Sequence, residues 1–198
     1  MRRRNLNIMA KREQKKDQPR LLAKYHKEVV PAMREKFGYK SVMAVPRIEK
    51  VVINMGFGRK AVAKETAAIE KMEKDLAKLT GQKPALRKAK KSISGFKVRQ
   101  GIEIGAMVTL RGKRMYDFVD RFISIALPRS RDFHGLDPKS FDKQGSLSVG
   151  IKEHSIFPEI TYESLKDIFG LEISVVTTAK SREEGMELLK LMGFPIRP

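Results

Sequence analysis

Apolar residues fall at helical spacing in some stretches of this chain and on every second position in others, and the switches between the two divide it into elements. From Leu21 the spacing is helical: Leu22, Tyr25, Val29, Met33 and Phe37 can share a face, and Gly38 ends the run. Pro31 lies inside it and predicts a kink or a restart, because proline removes a donor and crowds the previous turn. Between Ile48 and Met55 the period drops to two, with Val51, Ile53 and Met55 on one side and Lys50, Val52 and Asn54 on the other. Gly56-Phe57-Gly58 then turns the chain. Ala61 to Leu79 reads as an amphipathic helix with Val62, Ile69, Met72, Leu76 and Leu79 on its stripe and Gly81 at its end. Ile102, Ile104, Ala106, Val108 and Leu110 alternate with more polar positions, a strand signature. Met115, Phe118, Val119, Phe122 and Ile123 restore the helical period, which Pro128 closes. Two further strands are expected over Ser146–Lys152 and Leu171–Thr178. Ser181 with Glu184 forms a capping box for a last helix that stops at Gly193.

Strands and helices are interleaved, with one long irregular connection from Arg129 to Gly145. The expected fold class is α+β: a single mixed, mainly antiparallel sheet with helices packed on one face, plus a protruding basic loop. Residues 1–19 have few apolar groups and no burying period, and read as a flexible basic N-terminal extension; residues 20–198 read as one α+β domain.

Charge changes this picture from a fold to a binding protein. The 198 residues carry 42 Lys and Arg against 23 Asp and Glu, a formal +19. The first 20 residues supply +6 of it, and the acid-free stretch Gly81–Gly101 supplies +7 through Lys83, Arg87, Lys88, Lys90, Lys91, Lys97 and Arg99. Helix faces exposed to solvent usually mix both signs, so charge this concentrated points to a polyanion: a nucleic acid or an anionic membrane surface. No run reaches the roughly 20 apolar residues that span a bilayer, and no signal-peptide core opens the chain. An organelle transit peptide is disfavoured by Glu13 and Asp17 and by the lack of an amphipathic face. Cysteine is absent, which fits a reducing compartment and removes thiol chemistry.

The basic stretch also has a shape. Pro84 and Gly95 mark turns, and Ile93, Phe96 and Val98 could give a projecting hairpin an apolar foot. Phe96 either anchors that loop or stacks on an exposed base. A second surface is offered by the polar side of the strands, where Lys50, Asn54, Thr109, Arg111, Ser174 and Thr178 are either simply wetted or hydrogen-bonded to RNA. Signals of catalysis are thin. Gly56-x-Gly58 lacks the third glycine of a dinucleotide fingerprint, there is no P-loop or nucleophile elbow, and Asp132, His134 and Asp137 lack further ligands at metal-binding spacing. No metal or cofactor is expected. A free-standing nucleic-acid binder stands as the contrasting reading, and an enzyme acting on RNA as the third.

Several phrases carry a resemblance. Val45-Pro46-Arg47-Ile48-Glu49-Lys50-Val51-Val52-Ile53-Asn54, Thr80-Gly81-Gln82-Lys83-Pro84, Lys88-Ala89-Lys90-Lys91-Ser92-Ile93-Ser94, Leu127-Pro128-Arg129 with Arg131-Asp132-Phe133, Ile156-Phe157-Pro158-Glu159-Ile160 and Val175-Val176-Thr177-Thr178-Ala179 closely resemble the bacterial large-subunit ribosomal protein five family, in order, from about Leu21 onward. The resemblance implies an α+β fold that binds 5S rRNA in the central protuberance of a cytoplasmic ribosome, beside 23S rRNA. It further implies a loop that reaches the P-site tRNA and an intersubunit bridge to small-subunit protein thirteen. On that footing Asn54, Gln82 and Thr109, with Lys50 and Arg111 beside them, are expected to hold 5S rRNA. Arg87, Lys88, Lys90, Lys91, Ser92, Phe96 and Lys97 are expected to contact tRNA, and 137–153 to form the bridge. Two places depart from the family pattern: Gly95 stands where asparagine is usual, and Ser146-Leu147-Ser148 replaces a common Asn-Tyr-Asn.

Overall fold

A computed structural model describes residues 18–131, 133–160 and 168–197. Its centre is a five-stranded antiparallel sheet of β1 (Ile48–Gly56), β2 (Ala85–Lys88), β3 (Glu103–Leu110), β4 (Leu147–Ile151) and β5 (Leu171–Thr177), in the order β2-β3-β1-β5-β4. The two-residue period of β1 becomes burial directly: Val51, Ile53 and Met55 are enclosed, whereas Asn54 is exposed and Lys50 and Val52 are half-buried. Ala106, Val108, Leu110, Leu147, Leu171, Ile173 and Val175 complete the inner face. Beyond the strand ends, Arg47 and Thr178 continue the β1–β5 pairing, with Thr178 N–H donating to the Arg47 carbonyl (2.9 Å) and Arg47 N–H to the Thr178 hydroxyl (3.0 Å).

Helices cover that inner face. The first helical run is α1 (Arg20–Lys24), a π turn over Tyr25–Val29, and α2 (Val30–Phe37), which Gly38 ends at a left-handed φ of 69°. Pro31 does not end the run: the irregularity expected there is the π turn just before it, and α2 carries Pro31 in its first turn. The wider π turn just before it makes room for a ring that would otherwise crowd the carbonyl of Lys27. The same device recurs after α5 (Gly112–Arg121), where a π turn over Phe122–Ala126 precedes Pro128 and the chain closes in the short α6 (Leu127–Arg129). Phe118 and Phe122 from this run stack with Phe157 at ring-centroid distances of 6.0 to 6.4 Å, all three enclosed. Burying one such ring contributes about 1.5–3 kcal/mol.

The helix expected over Ala61–Leu79 is two pieces. α3 (Gly58–Val62) ends where Lys64 takes a left-handed φ of 58°, and α4 (Thr66–Thr80) starts afresh. Val62 is thus on a different helix from Met72, Leu76 and Leu79, which are the buried part of the stripe. Gly81 ends α4 as expected, at φ 65°. The final helix, α7 (Arg182–Met192), is capped by Ser181, whose hydroxyl accepts from Glu184 N–H (3.3 Å). The Glu184 carboxylate reaches Lys180 N–H (2.9 Å), one residue before the position a strict capping box uses.

Residues 130, 131 and 133–146 are irregular apart from a 3-10 turn over Pro138–Ser140 and isolated bridges that join Leu136 to Ile196 and Phe141 to Leu147. This connection is packed down at one point. Gly145 and Gly185 meet backbone to backbone, and Thr177 donates its hydroxyl hydrogen to the Gly145 carbonyl (3.1 Å). The basic segment expected over residues 1–19 lies outside the described residues up to position 17, as do Asp132 and 161–167.

Candidate nucleic-acid interface

The outer face of the sheet is built by register. One row across it holds Ser148, Ser174, Val52 and Thr109; the next holds Gly150, Glu172, Asn54, Met107 and Ala85. These positions are exposed or half-buried. Short side chains dominate, so the surface is flat, and its hydroxyls and amide can both donate and accept. Ser148 and Ser174 share a hydrogen bond at 3.0 Å across β4 and β5, which places the departure at Ser148 on this face. Asn54 and Thr109 sit on adjacent rows of the β1–β3 pair, on the diagonal where neighbours are about 7–8 Å apart.

Lys50 lies on the same side of β1, opposite Val176. Arg111, one residue past β3, reaches Glu49 at 3.5 Å with both side chains largely exposed, an ion pair of little energetic weight. Gln82 precedes β2, whose first residue Ala85 pairs with Met107. It therefore stands toward the end of the sheet where β3 runs on to Thr109 and Arg111. The Thr178 hydroxyl is occupied by the Arg47 backbone, so it is the least available of the polar groups named from sequence.

Sequence reasoning missed β2. Ala85-Leu86-Arg87-Lys88 has no alternation and all four residues are exposed, so no burial pattern marks it as a strand. As a result Arg87, expected with the projecting loop, stands on the sheet opposite Gly105, its guanidinium 3.9 Å from the Met107 sulfur. Lys88 is on the same strand, 4.0 Å from Glu103.

Beyond Lys88 the basic stretch is a hairpin that projects from the sheet. Ala89 exchanges backbone hydrogen bonds with Gly101 and Ile102, and Ile93 pairs with Val98 through two more (2.9 and 3.2 Å). A 3-10 turn over Ser94–Phe96 forms the tip, after which Lys97 adopts a left-handed φ of 53°. Ser92 accepts from Gln100 N–H (3.0 Å), so this hydroxyl ties the two arms together. Phe96 is 74% exposed and Ile93 50%, which overturns the reading of Phe96 as an anchor in the core. Lys90, Lys91 and Lys97 are exposed, and no ion pair joins them among the described residues.

Of the three residues weighed as metal ligands, Asp132 lies outside the described residues. Asp137 caps the 3-10 turn by accepting from Lys139 N–H (2.8 Å), and the His134 carbonyl accepts from the Arg197 guanidinium (2.7 Å). Among the described residues no group of three or more His, Asp or Glu side chains could hold an ion, and no helix is long and apolar enough to cross a membrane.

An α+β protein with an open polar sheet face and a separate cationic hairpin is the class that this fold and charge distribution define. Residues 41–99 match the family described as Ribosomal protein L5, and residues 103–196 match the description of that ribosomal family's C-terminus. Relatives include the large ribosomal subunit protein uL5 of Carboxydothermus hydrogenoformans, 55% identical over 89% of this chain and 98% of the relative. The uL5 of Rubrobacter xylanophilus is 51% identical over 90% and 98%, and that of Streptococcus thermophilus 53% over 89% and 97%. The chain belongs to the ribosomal protein L5 family, and is a structural component of the ribosome, not an enzyme. The seam between the two matched segments falls in the hairpin, yet β2 and β3 on either side of it pair in one sheet.

Proposed function

We propose that this protein is a structural part of the large ribosomal subunit in the cytoplasm, where its outer sheet face binds 5S rRNA and attaches it in the central protuberance. The observation that carries this reading is the polar face itself: Asn54 and Thr109 stand adjacent on a flat surface bordered by Lys50, Arg87 and Arg111. Cations at the border hold phosphates, while amide and hydroxyl groups reach 2′-hydroxyls and base edges. The hairpin is a separate instrument. Its unpaired lysines lie beyond the strand that ends the sheet, a placement that suits contact with P-site tRNA. Residues 137–153, which end in the edge strand β4, supply the bridge to small-subunit protein thirteen, and 23S rRNA completes the surroundings.

In competition binding, 5S rRNA outcompetes an equal mass of duplex DNA. Affinity also falls by about 0.7–0.9 log units per log unit of salt for each phosphate neutralised. A general polyanion binder, the second reading supported by the +19 charge, shows the salt dependence without the preference. Equal competition by DNA rejects the 5S assignment, and a flat salt response rejects both.

The two surfaces separate by mutation. Replacing Lys90 and Lys91 together by alanine leaves 5S rRNA affinity within about threefold of the parent, since neither side chain lies on the sheet face, while weakening tRNA binding in a filter assay. A large loss of 5S affinity would refute this division of labour.

A further inference from the structure

The irregular connection between α6 and β4 is held in two halves by different parts of the chain. Its second half belongs to the sheet: Phe141 bridges to Leu147, Asp142 N–H donates to the Ser146 carbonyl (3.0 Å), and Thr177 of β5 donates to the Gly145 carbonyl. Its first half belongs to the end of the chain. Leu136 N–H donates to the Pro195 carbonyl (2.8 Å), Arg197 N–H donates back to the Leu136 carbonyl (3.0 Å), and the Arg197 guanidinium donates to the His134 carbonyl (2.7 Å). Arg182 of α7 donates to the Pro138 carbonyl. Among the described residues, the hydrogen bonds that tie 133–138 to the rest of the protein all end on residues 182–197. Gly135 is fitted to this contact: its φ is 96°, and a Cβ there would stand 2.9 Å from Arg197 Cγ and 3.3 Å from the Pro195 carbonyl oxygen.

The tail has a firm root. Phe194 is enclosed, edge-on to Phe122 at 6.4 Å, and its N–H donates to the Leu189 carbonyl (3.0 Å), so Pro195 leaves the core at a fixed point. The strip it holds is lightly packed, since Leu136 is enclosed and the other described residues of 133–138 are half-buried or exposed. Few buried contacts, with ties to a single segment, are the marks of a unit that opens by itself. Phe133, in this strip, lines a cleft of about 490 Å3 together with Val149, Gly150 and Ile151 of the edge strand β4. We propose that Pro195–Arg197 is a latch. Closed, it holds 133–138 beside β4; released, it lets residues 133–140 open as one unit, widening the cleft while the sheet stays folded. An edge strand offers unpaired backbone groups to other chains, so the latch sets the access to that edge, whatever molecule meets it.

The test follows amide hydrogen exchange residue by residue by NMR. A chain ending at Phe194 loses the latch and keeps its root. In it, Ser140 and Phe141 N–H retain their own acceptors, the Asp137 and Pro138 carbonyls (2.9 and 3.2 Å). They nonetheless exchange about tenfold faster, while the amides of β1, β3 and β5 stay within about twofold of the parent. Gly135→Ala gives the same pattern in the full-length chain, because it pushes the tail away from the other side of the contact. The chain has no tryptophan, so Phe133→Trp supplies a single indole in the cleft. Its emission moves to the red when either change is added, as the cleft takes in water. Acceleration confined to Leu136, whose acceptor the truncation removes, would make the tail a simple contact and overturn the proposal. Equal acceleration throughout the sheet would overturn it too, since the tail would then be part of the core.

Discussion

Replacing Gly185 by alanine lowers the melting temperature by about 6–12 °C, the shift that roughly 3 kcal/mol produces in a protein of this size. At an ordinary helix position the same change is favourable, because alanine gains up to about 1 kcal/mol over glycine in helix propensity. Here sterics outweigh propensity. A Cβ at Gly185 would stand 2.2 Å from the Gly145 carbonyl oxygen and 2.4 Å from its Cα. Both partners are backbone, so no side chain can rotate away. Gly145 is also pinned, at φ 77° and by the hydroxyl of Thr177, which belongs to β5, an interior strand of the sheet. Relief would have to move α7 away from the connection that enters β4. Thermal unfolding followed by circular dichroism decides the matter: a melting temperature within about 2 °C of the parent shows that the two backbones separate at little cost.

Alanine at Asn54, or at Thr109, weakens 5S rRNA binding by about 1–3 kcal/mol each, the cost of leaving a desolvated polar partner unpaired. That is about a 5- to 160-fold rise in Kd. Neither side chain is part of the core, so the melting temperature stays at the parent value while affinity falls. The two residues come from strands far apart in sequence and sit diagonally across the β1–β3 pair, so they are expected to face the same stretch of RNA. Unchanged affinity in both variants returns this face to solvent, and the hairpin then becomes the main docking surface.

Much of the architecture was legible because burial follows period. The alternation in β1 and in most of β3, the helical spacing from Met115 to Phe122, and the glycines at 38, 81 and 193 are local signals, and each became the element it implied. Asn54 and Thr109 were assigned to one polar face on the same ground. Where local signals misled, a contact elsewhere had decided. Lys64 interrupts the run from Ala61, and no residue type there announces a left-handed conformation. β2 was invisible because an edge strand exposed along its length shows no apolar alternation; only its pairing with β3 makes it a strand. Arg87 moved from loop to sheet face for that reason.

Residue type and spacing are enough to settle the α+β class, the inner faces of the strands and the concentration of charge into Gly81–Gly101, since each of these is a local property of the chain. Which polar residues from distant segments share a surface is settled in three dimensions, because register across β4, β5, β1, β3 and β2 is set by pairing and not by any one strand. The exposure of Phe96 is settled there too. An apolar ring among cations could have been buried or presented, and only the path of the hairpin left it exposed, lining with Gly58 and Ile104 a groove made of residues far apart along the chain.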